Sequence, residues 1–314
     1  MVGAVTLTAE EIARPAEQTR ARYPDEEGYV QRDGVRIFYE VYGEGEPPIV
    51  FLPTWTLFHS RVWKMQIPCF ARRHRVVAFD PRGNGRSDRP TRLKAYAESE
   101  LAQDAVDVMD EVGIERAVIV SFSKGAQRAL VLAAKHPERV SGAVFLGPLF
   151  PASPLGGLRW RIMAHPRLRP LTRRRPLIAK GWGKLNPHYF RTDYLDFVEW
   201  FVGKVTSQPH STKDFEDGVG WALETDGDTL ARSVLADLAA PATRRDQLAL
   251  ARRVRCPVMV VCGTKDKITA FADAKALAKA TGGRLVAVRN GDHLVQARRP
   301  AEVNPAIREF LQEL

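Results

Sequence analysis

Short apolar runs recur along the chain and alternate with longer amphipathic stretches. The runs are rich in β-branched and aromatic residues, as buried strands are, and the stretches between them have the length of helices. Asp33-Gly34 between two alternating segments predicts a hairpin. This alternation predicts an α/β fold with a mainly parallel, doubly wound sheet. The predicted strands lie at residues 28–32, 35–42, 48–52, 75–79, 118–120, 141–146, 257–262 and 284–288.

The alternation stops between about residue 148 and residue 237. This part of the chain shows no clear buried strand, and it holds many prolines and arginines and four of the six tryptophans. We interpret residues 150–237 as a helical cap inserted into a core of residues 28–149 and 238–314. Residues 1–27 are polar and are expected to form an N-terminal arm, with a capping box at Thr8 and Glu11 starting a short helix over residues 9–22.

Composition excludes several classes of protein. At 314 residues with 45% hydrophobic content, the chain can bury a full core, and no apolar run approaches the 18 residues of a membrane span. The start of the chain lacks the basic region of a secretory signal. An odd number of cysteines (Cys69, Cys256 and Cys262) in apolar settings indicates reduced core residues, so we expect a cytoplasmic protein. No CxxC, HExxH or P-loop is present, and no metal or cofactor is expected.

Positive charge is concentrated in one segment. Lysine and arginine number 47 against 37 acidic residues, and residues 151–212 hold eleven basic residues against three acidic ones. The segment would attract an anionic group, such as a carboxylate, a CoA phosphate, an acidic carrier protein or a lipid headgroup. A solvated surface is the alternative. Nucleic acid is not expected as a partner, because no nucleic-acid-binding fold accompanies the charge. The basic residues concerned are Arg159, Arg161, Arg167, Arg169, Arg173, Arg174 and Arg175.

The stretch of residues 116–128 joins a buried strand to a helix through a corner of small residues. Ser123 stands in this corner, with Gly125 two residues after it and Ser121 two residues before it. This is the layout of a nucleophile elbow, in which a strained turn exposes a serine hydroxyl and crowding demands small neighbours. Ser121 occupies a position where glycine is usual, and an ordinary strand-turn-helix corner is the alternative interpretation.

A serine hydroxyl needs a general base, and that base needs an acid to orient it. Asp266 lies in the turn after one late strand, and His293 lies in the loop after the next. Because the carboxyl ends of parallel strands share one edge of a sheet, Ser123, Asp266 and His293 are expected to converge as a catalytic triad. Asp292 is a rival acid beside the histidine. We see no comparable partners for the other six histidines.

Together these segments resemble the α/β-hydrolase family over roughly residues 28–314. The loop at residues 80–87, Asp-Pro-Arg-Gly-Asn-Gly-Arg-Ser, is similar to the family's D-x-R-G-x-G-x-S loop, and we expect it to be structural. The resemblance implies an oxyanion hole made by the main-chain N–H groups of Lys124 and Trp55. This chain has Pro53-Thr54-Trp55 where the family usually has His-Gly, which changes the geometry of the hole. The family's epoxide hydrolases use an aspartate at the elbow, so Ser123 argues against them.

The substrate pocket is expected to lie under the helical cap. Its aromatic residues would line an apolar acyl site or would pack the cap against the core. The residues predicted to line the pocket are Thr54, Phe122, Trp182 and Trp200.

We therefore predict a metal-free serine hydrolase that cleaves an acyl ester, lactone or thioester through an acyl-enzyme. Its partner would be a small-molecule acyl substrate, either anionic or carrier-linked, and no membrane span is expected. An acyl transferase or cyclase using the same site is one alternative. A non-catalytic small-molecule-binding protein of the same fold is the other.

Overall fold

An eight-stranded sheet forms the centre of the computed structural model, which describes residues 22–150, 180–209, 212–239 and 243–314. The strand order is β1-β2-β4-β3-β5-β6-β7-β8. The strands are β1 (Glu26–Arg32), β2 (Val35–Tyr42), β3 (Ile49–Phe51), β4 (Val76–Phe79), β5 (Ala117–Phe122), β6 (Val140–Leu146), β7 (Val258–Gly263) and β8 (Arg284–Val288).

The sheet is antiparallel at one edge and parallel elsewhere. β2 pairs antiparallel with β1 and with β4, and the pairs from β4 through β3, β5, β6 and β7 to β8 are parallel. The predicted hairpin is present, and Asp33 and Gly34 both have positive φ angles of 52° and 77°, as a type I′ turn requires. The predicted fold class is therefore confirmed, and each predicted strand overlaps an observed one.

Helices flank the sheet on both faces and also lie in the described parts of the chain between β6 and β7. Those described are α1 (Ile67–Phe70), α2 (Glu98–Glu111), α3 (Gly125–Lys135), α4 (Pro187–Thr192), α5 (Tyr194–Val205), α6 (Lys213–Leu223), α7 (Gly227–Ala239), α8 (Arg244–Ala251), α9 (Phe271–Thr281), α10 (Val295–Arg298) and α11 (Pro300–Gln312). None of the helices in the described ranges has the length and apolar character needed to cross a membrane.

The β-branched run in β5 is buried because helices cover both faces of the sheet. Val118 and Val120 contribute to the apolar cluster on one face, and Ile119 contributes to the cluster on the other. A parallel strand buried on both faces has this continuous apolar sequence. The central strands are thereby fixed in register, and the residues that follow them are held at one edge of the sheet.

Helices α4 to α7 occupy the part of the chain where the sequence predicts a cap. Phe190, Phe197 and Phe201 of this segment pack around Trp55, which follows β3. The proposed boundaries between core and cap stay predictions, and α7 continues past the boundary proposed at residue 238. The predicted arm helix, apart from its last residue, and the seven arginines at residues 159–175 lie outside the described residues.

Candidate active site

Ser123 lies at the turn between β5 and α3, in a backbone conformation that serine rarely adopts. Its φ angle is 52°, in the left-handed region, where a side chain clashes with its own backbone. The turn is held by hydrogen bonds from the Ser123 N–H to the Leu146 carbonyl at 2.9 Å and from the Ala126 N–H to the Ser123 carbonyl at 3.1 Å. The side chain stays partly exposed while its neighbours are buried, as the elbow prediction requires.

The residues two before and two after Ser123 show why this corner needs small side chains. A Cβ atom added to Gly125 would lie 2.7 Å from the Pro53 carbonyl oxygen, so only glycine fits there. Ser121 is fully buried, and its hydroxyl donates to the Val144 carbonyl on β6 at 3.2 Å. The serine in place of glycine is accommodated because its one polar atom has a main-chain acceptor on the adjacent strand.

The structure brings Ser123, His293 and Asp266 into one hydrogen-bonded series. His293 Nε2 lies 2.9 Å from Ser123 Oγ, and His293 Nδ1 lies 2.8 Å from Asp266 Oδ2. Because an ionised carboxylate only accepts hydrogen bonds, Nδ1 carries the proton and donates it, which leaves Nε2 to accept from the serine hydroxyl. The predicted convergence at the carboxyl ends of β5, β7 and β8 is what the structure shows.

Asp266 is oriented by a short turn of its own. Its Oδ1 accepts from the N–H groups of Ile268 and Thr269 at 2.7 and 2.9 Å, and its Oδ2 accepts from the Thr269 hydroxyl at 2.7 Å. The rival acid, Asp292, points elsewhere. Its carboxylate accepts from the Gln208 N–H at 3.1 Å and lies 3.7 Å from the Arg298 guanidinium. The structure thus places Asp266, and not Asp292, against His293.

Gly147 is a residue of the site that the sequence analysis missed. It follows β6, has a φ angle of 47°, and lies so close to the triad that an added Cβ atom would be 3.3 Å from His293 Nδ1 and 3.5 Å from Asp266 Oδ2. The signal in the sequence was a glycine-proline pair directly after a buried strand, which marks a turn but does not say what the turn faces.

The two residues whose N–H groups are predicted to form the oxyanion hole lie on segments that pack against each other. The Lys124 N–H is at the start of α3, and the close approach of Gly125 to the Pro53 carbonyl brings the loop of Trp55 against this start. Within the described ranges, neither the Lys124 nor the Trp55 main-chain N–H donates to a protein acceptor. Neither donor is therefore committed to another main-chain group in the described ranges.

The side chain of Lys124 turns away from the site into the protein. It is 6% exposed and forms ion pairs with Glu98 and with Asp237. The Arg128 guanidinium, 2% exposed, joins the same group through Glu98. The charge of Lys124 is therefore directed into the protein and away from the triad. Sequence reasoning also missed Glu98, Arg128 and Asp237, for which the one local signal was two basic residues four apart on an otherwise apolar helix.

The four predicted pocket residues have different surroundings. The Phe122 ring packs on the His293 ring at 4.8 Å, and Thr54 is buried in the loop between Pro53 and Trp55. Trp182 and Trp200 pack edge to face at 5.0 Å and remain half-buried. Trp200 packs against Phe197 and Phe201, which in turn pack against Trp55. The part of the two tryptophans in a pocket stays a prediction.

Two other groups named from the sequence, the loop at residues 80–87 and His59, contact other parts of the protein. In the glycine-containing loop, Asp80 accepts from the N–H groups of Ser60 and Arg86 at 3.0 and 2.9 Å. His59, which the sequence analysis left outside the triad, has an acidic neighbour, because its Nε2 lies 3.2 Å from Glu224 Oε1. Over the residues described, no three His, Cys, Asp or Glu side chains are grouped closely enough to hold a metal ion.

Comparison with known proteins identifies relatives over most of the chain. Residues 47–300 match the family described as the alpha/beta hydrolase fold. The chain is 25% identical to Epoxide hydrolase 3 of Xenopus tropicalis, over 91% of this chain and 78% of that protein. It is 23% identical to 3-oxoadipate enol-lactonase 2 of Acinetobacter baylyi, over 88% of this chain and 94% of the relative. Among solved structures, Est816, described as an N-acyl homoserine lactone degrading enzyme, is 26% identical with a TM-score of 0.71, covering 90% of this chain and all of that one.

Proposed function

The chain belongs to the alpha/beta hydrolase fold family, and on that basis we propose that it is a serine hydrolase that cleaves an acyl ester, lactone or thioester. The observation that carries the proposal is the hydrogen-bonded series from Ser123 through His293 to Asp266, with distances of 2.9 and 2.8 Å. Three of the similar proteins are named an epoxide hydrolase, an enol-lactonase and a lactone-degrading enzyme, which supports the reaction class.

The proposed reaction proceeds in two acyl-transfer steps. Ser123 Oγ attacks the acyl carbon while His293 Nε2 takes the hydroxyl proton, and the carbonyl oxygen becomes an oxyanion bound by the N–H groups of Trp55 and Lys124. The imidazolium then gives its proton to the leaving alcohol, thiol or ring oxygen, and an acyl-enzyme remains. Water, deprotonated by His293, attacks that ester and releases the acid. Asp266 holds the imidazole in the required tautomer and stabilises its charge.

The identity of the nucleophile favours acyl substrates over epoxides, although one relative is named an epoxide hydrolase. Opening an epoxide with a carboxylate gives an ester, which a histidine-activated water can hydrolyse. Opening it with Ser123 Oγ would give an ether, which neither His293 nor Asp266 would cleave. An acyl carbon attacked by serine, in contrast, gives an ester that the same histidine can turn over.

Esters and lactones are the substrates that the comparisons support best. Est816 is named for a lactone, and the enol-lactonase of Acinetobacter baylyi is named for another. Both are cyclic esters, so the reaction at the acyl carbon is the one derived from the geometry. Apolar rings surround the site, with Phe122 on His293 and three phenylalanines around Trp55. This surface favours an apolar acyl group.

The test is labelling of the purified chain with a fluorophosphonate probe, which reacts with an activated serine. Wild type is compared with Ser123→Ala and with Ser99→Ala, a serine in α2. We expect labelling of wild type and S99A and none of S123A. A chain-length series of p-nitrophenyl esters and a set of lactones then give kcat/KM values, and the optimum measures the size of the acyl site.

Two results would overturn the proposal. One is a folded wild type that neither reacts with the probe nor turns over any ester, lactone or thioester. The other is turnover that survives in Ser123→Ala at the wild-type rate, which would assign the chemistry to another nucleophile. Product analysis with and without an alcohol acceptor separates hydrolysis from acyl transfer at the same site.

A further inference from the structure

Four charged side chains, two buried cations and two partly exposed carboxylates, form a cluster behind the elbow, and the proposed reaction uses none of their charges. This group, named here the support cluster, consists of Glu98 on α2, Lys124 and Arg128 at the start of α3, and Asp237 on α7. Lys124 Nζ is ion-paired with Glu98 and, at 3.0 Å, with Asp237. Arg128 Nε donates to the second oxygen of Glu98 at 3.3 Å. Two cations and two anions thus lie in mutual contact.

The charges of Lys124 and Glu98 are stabilised by their neighbours in the support cluster. Burial by itself would lower the pKa of Lys124, but the charges of Asp237 and Glu98 outweigh burial and raise it. Burial would likewise raise the pKa of Glu98, yet Lys124 and Arg128 lower it. Removing charges from water costs several kcal/mol for each ion, so such a cluster is weak evidence for a gain in stability. What it provides is fixed geometry, and the contacts below show what it fixes.

Arg128 fixes the direction of the peptide that carries the Trp55 N–H. Its terminal nitrogen donates to the carbonyls of Pro53 at 2.9 Å and of Thr54 at 2.8 Å. In a trans peptide the C=O and N–H point in opposite directions. When the Thr54 carbonyl is turned toward Arg128, the Trp55 N–H on the same peptide is therefore turned away from Arg128, and it has no protein acceptor among the described residues.

Lys124 carries the other donor N–H, and its side chain is held from two directions. Glu98 reaches it from α2 and Asp237 from α7, so the residue that follows the strained Ser123 is anchored outside its own helix. Glu98 also binds Arg128. The two donor peptides are thus connected through one carboxylate, although they belong to separate loops.

Helix α7 anchors the side chains of both donor residues. Asp237 binds Lys124, and Ser233, one turn earlier on the same helix, accepts a hydrogen bond from the Trp55 indole N–H at 3.2 Å. Residues four apart share a helix face. Ser233 donates its own proton to the Leu230 carbonyl at 2.8 Å, so its acceptor lone pairs are directed to the indole.

We infer that the support cluster and Ser233 are positioning residues of the oxyanion hole: Arg128 sets the Trp55 donor, and α7 holds both donor residues through Ser233 and Asp237. The inference rests on the proposed function, because it assigns a role within that site. Neither residue of α7 touches substrate, and each acts through the side chain of a donor residue. The oxyanion forms in the transition state of the reaction, so a displaced donor lowers the reaction rate chiefly by stabilising that transition state less.

The first experiment replaces Arg128 with methionine, which fills the space without donating, and with lysine, which keeps a donor. We expect Arg128→Met to lower kcat for a p-nitrophenyl ester by about 10- to 100-fold. The upper value corresponds to the loss of one oxyanion donor. KM and the pKa of the pH–kcat profile should stay unchanged, because the triad is untouched. Fluorophosphonate labelling should slow by the same factor, and Arg128→Lys should recover part of the rate.

The second experiment is a double-mutant cycle between Ser233→Ala and Trp55→Phe. Phenylalanine keeps the main-chain donor and removes the indole N–H. If Ser233 acts through Trp55, each single change lowers kcat about 3- to 10-fold and the double variant is no slower than the slower single one. If an Arg128 variant fails to fold, a double-mutant cycle between Asp237→Asn and Lys124→Met tests the same inference.

Asp228→Asn is the matched control. Asp228 is an exposed acid in the first turn of α7, paired with Arg191 at 2.7 Å, and its loss should leave kcat within about twofold. Additive effects in both cycles, or folded Arg128→Met with wild-type kcat and labelling rate, would overturn the inference while leaving the serine hydrolase intact. Wild type without labelling or turnover would overturn the proposed function first, so the two failures are distinguishable.

Discussion

The two sides of the active site are built in different ways. The triad side consists of Ser123, Asp266 and His293, in the turns that follow β5, β7 and β8. Asp266 is oriented inside its own turn, and His293 is held by hydrogen bonds to Asp266 and Ser123. The donor side consists of the loop after β3 and the first turn of α3. Its two N–H groups are fixed by side chains from α2, α3 and α7, separated from them by up to 178 positions in the chain.

This difference shows which parts of the site depend on the sheet alone. Asp266 is oriented by Ile268 and Thr269, inside one turn. The donor loop instead needs Arg128 to bind its carbonyls and Ser233 to bind its indole. A change in helices α4 to α7 should therefore disturb the oxyanion hole before it disturbs the triad. Such a change would lower kcat without moving the pKa of the catalytic histidine.

The largest expected effect compares two neighbouring acids on the triad side. Asp266→Asn should lower kcat by about 10⁴-fold, because an amide can hold the imidazole in the wrong tautomer and cannot stabilise its charge. Asp292→Asn, at the acid next to His293 in sequence, should stay within a few-fold, since its carboxylate contacts Gln208 and Arg298 instead. Ester turnover of both variants measures this. If both variants lost the same fraction of kcat, the two aspartates would share the role of the acid.

An intermediate effect is expected from adding one carbon atom at Gly147. In Gly147→Ala the new methyl group would lie 3.3 Å from His293 Nδ1, so the imidazole must shift by a few tenths of an ångström and kcat should fall roughly tenfold. Gly113→Ala is the control, because Gly113 also has a positive φ angle, 67°, but an added Cβ there meets nothing within 4 Å.

Both glycine variants should lose about 1 kcal/mol of stability from backbone strain. Thermal unfolding measured beside kcat separates strain from displacement of the histidine. If Gly113→Ala lowered kcat as much as Gly147→Ala, the close approach to the triad would not be the cause.

The last expected effect is on stability and not on activity, and it concerns the donor side. Burial raises the pKa of Asp237 from its ordinary value of 3.8 to about 6. The folded chain therefore binds this proton more tightly than the unfolded chain, and the resulting stabilisation is complete below pH about 4 and lost as the pH rises through about 6. Compared with Asp237→Asn, wild type should lose on the order of 2 kcal/mol between pH 4 and pH 7.

Urea unfolding at several pH values checks this, with Asp228→Asn as the control. The pKa of Asp228 is lowered, chiefly by its hydrogen bond from Arg191. Its contribution to stability therefore increases as the pH rises, whereas that of Asp237 decreases. A difference between wild type and Asp237→Asn that is flat or rises with pH would contradict the prediction.

Much of the triad side could be predicted from the sequence, since strands alternating with helices place residues 123, 266 and 293 at one edge of a parallel sheet. Gly147 was missed because a glycine-proline pair marks a turn without showing what lies opposite. Arg128 looked like a helix residue among others, and its contacts with the Pro53 and Thr54 carbonyls come from a different segment. The choice between Asp266 and Asp292 also needed the structure, because the position of Asp292 next to His293 in the sequence does not show that its carboxylate faces Gln208 and Arg298.

The sequence by itself determined which residues with catalytic chemistry follow which strands. It placed a serine in a corner of small residues, and an acid and a histidine after later strands. It also contained an apolar run that must be buried on both faces. These features follow from local sterics and from burial, which act over a few residues. Only the tertiary structure decided that Lys124 points inward, that Glu98 joins it to Arg128, and that Ser233 and Asp237 reach the two donor residues. Ion pairs and hydrogen bonds between distant segments depend on how helices pack, and packing is a property of the whole chain.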